Sequence, residues 1–213
     1  YLSESLRHEG QGDAVSQPCC SGIKCENDDF TYQCITCWDR RLFCRLCIVM
    51  VHGCSPTHIV QHWNGEYFDR ILLRKLGLSY QVGHPLGDIC IHPCPAFDHR
   101  FTIIDTNGVH DINLNFCNCC HECPLATQLQ CMWLFPGTVM EPHTAVTMAA
   151  LEQFQMLTFM GKLSAYEYYH SLAQLLDNTG TNTPLVCRVP LPYCVLIYLC
   201  QDNYEAFICI VHK

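Results

Sequence analysis

CSGIKCENDDFTYQCITCWDRRLFCRLCIVMVHGCSPTH, residues 20–58, sets Cys20, Cys25, Cys34, Cys37, Cys44, Cys47, His52 and His58 in four successive pairs. Two of these are C-x-x-C: Cys34 with Cys37 and Cys44 with Cys47. That spacing holds two thiolates about one tight turn apart, which suits two corners of a tetrahedral zinc with Zn–S bonds near 2.3 Å. Four pairs supply eight ligands, enough for two ions.

How the pairs divide decides the topology. Neighbouring pairs sharing an ion would make two beads in series, whereas alternate pairs sharing an ion would interleave the chain as a cross-brace. Only six residues separate Cys37 from Cys44, too few for two independent finger cores. The cross-brace is therefore favoured, with Cys20, Cys25, Cys44 and Cys47 on one zinc and Cys34, Cys37, His52 and His58 on the other. In spacing the stretch resembles ZZ-type and B-box-type modules, departing from them at the first pair, where four residues separate Cys20 from Cys25. Cys19 competes with Cys20, and Cys54 or His62 with His58.

The chain has 213 residues, 49% of them hydrophobic, which is enough to bury a core. Its net charge is −8, the wrong sign for a polycation built to coat nucleic acid. Within 19–62, Lys24, Arg40, Arg41 and Arg45 balance Glu26, Asp28, Asp29 and Asp39. Strong non-specific DNA binding by that segment alone is not expected, because such binding comes from phosphate neutralisation. Nineteen cysteines would suit a secreted disulfide scaffold, but the number is odd and no signal peptide is visible. Histidines standing where zinc ligands are wanted favour an intracellular, reducing compartment. The chain opens at Tyr1, which reads as a fragment or a faulty gene model.

Residues 1–18 read as a short helix or polar leader and 19–68 as the zinc module, in which 30–33 and 42–43 are candidate strands and Trp63, Tyr67 and Phe68 a lid. Residues 69–140 are expected to be β-rich, with a short helix over 72–78 stopped by Gly77. There FTIID (101–105) and VHDINLNF (109–116), joined by Thr106-Asn107-Gly108, predict a hairpin that runs into Cys117-Asn118-Cys119. From Pro142 the period changes: Val146, Ala149, Ala150, Leu157 and Met160 predict a helix over 142–160. Ser164 and Glu167 form a capping box opening a second, with Tyr166, Tyr169, Leu172 and Leu176 on one face. The expected fold class is α+β: a zinc-stabilised cross-brace, a hairpin-containing cysteine-rich region, and a helical pair over 141–180. Residues 181–213 read as an aberrant or disordered tail, whose apolar run, Leu191 to Cys200, is too short to span a bilayer.

Cys117 and Cys119 form a tight thiolate pair that needs two more ligands for a third zinc. The hairpin nominates His110 and Cys90, with Cys94 and His84 as substitutes. Cys119, Cys120, His121, Glu122 and Cys123 are too crowded to bind one ion together. Asp105, Asp111 and Glu122 are the carboxylates a metal-dependent hydrolase would want, but Asp105 precedes a tight turn, where aspartate is common for structural reasons. No Ser/His/Asp order, glycine-rich phosphate loop or H-E-x-x-H is present, so no catalytic residue is named and no small-molecule substrate is expected.

Five segments carry a family resemblance: YLSESLRHEGQGD, HIVQHWNGEYF, LGLSYQVGHPLGDIC, FTIIDTNGVHDINLNFCNC, and the stretch from QLQCMWLFPGTV to LLDNTGTN. Over about residues 1–183 the chain resembles the fungal cysteine-cluster domain of the second C-x-C type, found N-terminal to the catalytic domain of KDZ (Kyakuja-Dileera-Zisupton) transposases. The resemblance implies a nuclear, zinc-chelating module that helps a DDE-type transposase recognise element ends, chromatin or partner proteins. After Asn182 that family would continue into an arginine-rich helix and the catalytic domain, whereas this chain reads TPLVCRVPLPYCVLIYLC; a retained intron or frame change would explain the difference. The catalytic acids would then lie beyond Lys213, and no transposase activity is expected. The alternatives are a stand-alone peptide-interaction module, which the neutral-to-acidic balance favours, and an enzyme, either a ubiquitin ligase or a nuclease.

Overall fold

The computed structural model describes residues 1–85, 88, 90–96, 100–119 and 123–176. Cys120, His121, Glu122, the expected stop at 177–180 and the whole 181–213 tail lie outside the described residues. The fold is mixed α/β and divides after Tyr80 into two compact units.

The first unit opens with α1 (Leu2–Glu9) and a 3-10 turn (Gly12–Ser16). A three-stranded antiparallel sheet follows, in the order β1 (Tyr32–Cys34), β2 (Val60–Trp63), β3 (Phe68–Ile71). β1 ends on Cys34, one of the expected ligands, and its Tyr32 forms a bridge with Phe43 in which each N–H donates to the other's carbonyl, at 3.0 and 2.8 Å. The expected strand at 42–43 is thus reduced to one bridge. Between β2 and β3 the Asn64 side-chain oxygen accepts from the N–H groups of Glu66 and Tyr67, and Gly65 takes φ +107, so asparagine and glycine together build the turn. Trp63 and Phe68 pack edge to face at 4.9 Å. Tyr67 is 56% exposed and takes no part in the lid expected of it.

Helix α2 (Arg45–Val51) was not expected. Its sequence, RLCIVMV, has three β-branched residues in seven and reads locally as strand. Ile48, fully buried, anchors it in a core with Phe43, Val60, Leu73 and Leu76. Helix α3 (Leu73–Leu76) then closes on Gly77, whose φ of +103 is the left-handed cap that glycine adopts without penalty.

The second unit is built on the hairpin. β6 (Phe101–Asp105) and β7 (Gly108–Cys117) pair antiparallel with Asp105 opposite Gly108, leaving Thr106-Asn107 as a two-residue loop. Ile112, Leu114 and Phe116 alternate inward along β7. The sheet runs β7, β6, β9 (Thr144–Thr147), β8 (Leu134–Pro136), with β9 parallel to β6, while β5 (Pro93–Pro95) and the Gln81 end of β4 (Ser79–Gln81) lie along β7. A helix α4 (Leu125–Cys131) precedes β8.

The helix expected from 142 begins at Met148 instead, because Thr144, Val146 and Thr147 are β-branched and are used as strand β9 against β6. Thr147 caps α5 (Met148–Gly161), its hydroxyl accepting from the Ala150 N–H. The inward face is Ala150, Leu151 and Phe154, whereas Leu157 and Met160 are exposed, so the core face is rotated from the one the spacing suggested. Helix α6 (Ala165–Leu176) opens with the reciprocal Ser164–Glu167 box. It buries Tyr168, Tyr169, Leu172 and Ala173, while Tyr166 faces solvent beside His170. The Tyr168 hydroxyl, 3.0 Å from the Ala150 carbonyl and 2.8 Å from Gln153 Oε1, ties α6 to α5.

Candidate metal centres

Among the described residues three Cys/His quartets form, each with its four ligand atoms within 4.8 Å of one another: Cys20, Cys25, Cys44, Cys47; Cys34, Cys37, His52, His58; and His84, Cys90, Cys117, Cys119. A tetrahedral ion with metal–sulfur bonds near 2.3 Å spaces its sulfurs about 3.8 Å apart, and sulfur from nitrogen about 3.6 Å.

In the first quartet Cys25 Sγ and Cys44 Sγ are 3.9 Å apart. Cys44 is the N-cap of α2 and Cys47 lies in its first turn, so helix geometry sets their separation. The N–H groups of Gly22 and Cys44 donate to Cys20 Sγ at 3.3 and 3.1 Å. Gly22 is required by contact, since a Cβ there would stand 2.3 Å from Cys47 Sγ. Burial raises the Cys44 thiol, but the Cys47 N–H and the neighbouring thiols outweigh it and leave Cys44 below the ordinary thiol range. Cys47 is driven the other way, by burial first and then by Cys44, Cys25 and Cys20. Thiols this crowded resist sharing more negative charge, a conflict that a divalent cation resolves.

In the second quartet Cys37 Sγ lies 3.5 Å from His52 Nε2 and 3.3 Å from His58 Nδ1, and Cys34 Sγ lies 3.7 Å from His58 Nδ1. The other nitrogen of His52, Nδ1, is 2.8 Å from the Ile48 carbonyl oxygen. A carbonyl only accepts, so Nδ1 donates to it and Nε2 is the nitrogen turned toward the quartet, the orienting bond typical of a metal-bound imidazole. Burial raises Cys34 as well, yet His52 and the Cys37 N–H bring it below its ordinary value. Burial, with Cys34, pushes Cys37 up to about 11.

The third quartet differs from the expected set. His110 was expected beside Cys90, but its Nε2 pairs with Asn107 Oδ1 at 2.7 Å at the hairpin loop, well along β7 from Cys117. His84, the alternative histidine, supplies the nitrogen, with Nε2 3.4 Å from Cys119 Sγ. Cys94 sits exposed on β5 and does not join. Cys117 and Cys119 place their sulfurs 2.9 Å apart, closer than the about 3.8 Å at which two thiolates of one tetrahedral ion stand, so an ion bound there would require the pair to spread. Burial raises Cys90, and the His92 and Asn118 N–H groups with His84 overcome it and lower its value.

Two glutamines support these centres and carried no signal in the sequence. The Gln17 amide donates to the Cys19 and Leu42 carbonyls at 2.6 and 2.8 Å, while its Oε1 accepts from the Leu42 N–H at 3.1 Å, so the leader ties together the segments that lead into Cys20 and Cys44. Gln128, 1% exposed, grips Cys117 in the same way: Oε1 accepts from its N–H at 2.8 Å, and Nε2 donates to its carbonyl at 3.0 Å and to that of Cys123 at 3.2 Å. Gly83, at φ +79, lies against this clamp, where a Cβ would meet Gln128 Oε1 at 2.5 Å.

Cysteine thiolates with imidazole nitrogens in fours are a donor set consistent with zinc. Of the alternatives weighed against them, Cys19, Cys54 and His62 belong to no quartet among the described residues. The candidate hydrolase carboxylates are engaged elsewhere. Asp105 Oδ1 accepts from the Thr106 N–H and the Thr147 hydroxyl, and Asp111 from the Thr102 hydroxyl, while Glu122 lies outside the described residues. Among the described residues no helix is long and apolar enough to cross a membrane.

A family model described as a CxC2-like cysteine cluster associated with KDZ transposases matches residues 73–180, which include the whole third quartet. Neither curated proteins nor solved structures give a match.

Proposed function

Because the chain belongs to the CxC2-like cysteine clusters associated with KDZ transposases, we propose that it is a zinc-binding accessory module of such a transposase. On this reading it directs the assembly to DNA, chromatin or a protein partner in the nucleus. The family is an accessory cysteine cluster rather than a catalytic domain. The carrying observation is that three quartets each offer four protein ligands, the donor number of closed, structural zinc sites; catalytic sites keep a position open. The first and third pairs of residues 20–58 share one quartet and the second and fourth the other, which supports a ZZ- or B-box-like cross-brace holding two zincs. The third zinc belongs to the C-x-C region.

A second reading, a stand-alone peptide-interaction module, is favoured by the balanced charge of residues 19–62 and by Trp38, fully exposed in the loop between Cys37 and Cys44. Fluorescence anisotropy of the zinc-loaded chain on duplex DNA over a series of salt concentrations separates the two. Targeting through nucleic acid predicts binding whose log affinity falls steeply with log salt, about 0.9 per phosphate neutralised. A flat or absent response overturns that arm in favour of peptide recognition.

A further inference from the structure

The first two quartets are not independent objects, because α2 belongs to both. Cys44 caps its N-terminus, Cys47 lies in its first turn, and His52 caps its C-terminus. One backbone track joins them: the Ile48 N–H donates to the Cys44 carbonyl at 3.0 Å, and the Ile48 carbonyl accepts from His52 at both its N–H (3.3 Å) and Nδ1 (2.8 Å). Ile48 is fully buried, so the track cannot slide without disturbing the core of the unit. A second link runs through the sheet: Cys34 ends β1, and β1 is bridged to Phe43, the residue before Cys44.

A seven-residue helix with three β-branched residues is not stable alone, since isolated helices shorter than about 12–15 residues are marginal. Something must hold α2 helical before the Ile48 carbonyl can turn His52 toward the second quartet. We infer that metal in the Cys20/Cys25/Cys44/Cys47 centre, by fixing α2, preorganises His52, so that the two centres load with positive cooperativity. This rests on the zinc reading above. Linkage makes it reciprocal: an ion on the second centre strengthens the first by the same factor.

Coupling energies of this kind are worth about 5- to 150-fold in affinity. The test uses the full chain carrying Cys119→Ser and His84→Ala, which removes the third centre and leaves the first unit untouched. Native mass spectrometry during a zinc titration counts molecules with zero, one and two ions. When the average is one ion per chain, independent sites of any affinities leave half or more of the molecules singly loaded, whereas tenfold coupling between sites of equal affinity leaves about a quarter. A fraction below one-half is expected; one-half or above together with an unchanged cobalt requirement in the Cys25→Ser chain overturns the coupling. A chain that takes up no zinc overturns the metal reading itself, which is a separate result.

Cys25→Ser, which alters a ligand outside α2 and none of the second quartet, gives the complementary arm with cobalt as probe. Absorption distinguishes the all-sulfur centre from the mixed one. The mixed centre should need about tenfold more cobalt than in the unaltered chain, and an unchanged requirement would refute the coupling. Should the variant fail to fold, the reciprocal His58→Ala, which alters a ligand of the second quartet outside α2, should raise the cobalt requirement of the all-sulfur centre by the same factor, and an unchanged requirement refutes the coupling.

Discussion

Replacing Gly22 by alanine tests how tightly the first quartet is built. The added Cβ would stand 2.3 Å from Cys47 Sγ and 2.9 Å from Cys47 Cβ. Ordinary carbon contacts lie at about 3.5–4.0 Å, so the sulfur must retreat by more than about 1 Å, several times the roughly 0.2 Å latitude of a metal–ligand bond. Cys47 is therefore lost as a ligand. Structural zinc is worth about 10–16 kcal/mol to a small domain, and one ligand in four represents about 3–4 kcal/mol, a several-hundred-fold loss of affinity. Gly65→Ala is the control. Its φ of +107 is strained for alanine, but a Cβ there meets nothing within 4 Å, so the cost is about 1–2 kcal/mol with every ligand in place. Competition against a chromophoric chelator measures both variants. Gly22→Ala should lose at least one tightly held ion, whereas Gly65→Ala should keep all three and weaken the first unit no more than about thirtyfold through linkage. Wild-type affinity in Gly22→Ala, or equal losses in the two variants, would refute the reasoning.

Further expectations follow from the second unit. His84→Ala should cost one metal equivalent and His110→Ala none, measured by metal analysis after gel filtration; the opposite pattern would return the third centre to the histidine on β7. Gln128→Ala removes two buried hydrogen bonds to the Cys117 backbone, and urea unfolding should show a loss on the order of 2–4 kcal/mol along with weaker metal retention. Tyr168→Phe, which removes a buried hydroxyl from between α5 and α6, should cost about 1 kcal/mol by the same measurement without altering metal content. The Ser164 N–H and hydroxyl hold the Glu167 carboxylate below its ordinary value of 4.5. Its contribution to the start of α6 is therefore complete above that value and disappears as pH falls through the lowered one; amide exchange in the first turn of α6 should rise over that acid range in the wild type and not in Glu167→Gln.

The parts of this protein legible in its sequence were those with short-range causes. Thr106-Asn107-Gly108 announced the hairpin because few residues tolerate that turn, and Ser164 with Glu167 announced the start of α6 because the box is local. The interleaved quartets were legible for a geometric reason, since six residues between Cys37 and Cys44 leave no room for separate finger cores. Helix α2 was illegible because RLCIVMV favours strand, and what anchors it is the burial of Ile48 against Val60, Leu73 and Leu76, which are distant in sequence. Thr144–Thr147 failed in the opposite sense: Pro142 and the spacing that follows suggested helix, and parallel pairing with β6, forty residues away, decided for strand. His84 could be distinguished from His110 only through Gly83 and Gln128, which form a cradle in space that has no spacing in the sequence. Gln17 was passed over because glutamine in a polar leader looks like solvent-facing chain.

The central claim is that the chain carries three tetrahedral centres built from nine sulfurs and three nitrogens. X-ray absorption at the zinc edge, with metal quantified on chain purified under reducing conditions, tests it most directly. The account predicts three zinc equivalents and an average shell of three sulfurs near about 2.3 Å and one nitrogen near about 2.0 Å. Little bound metal with the cysteines paired as disulfides, or a shell dominated by oxygen, would contradict it.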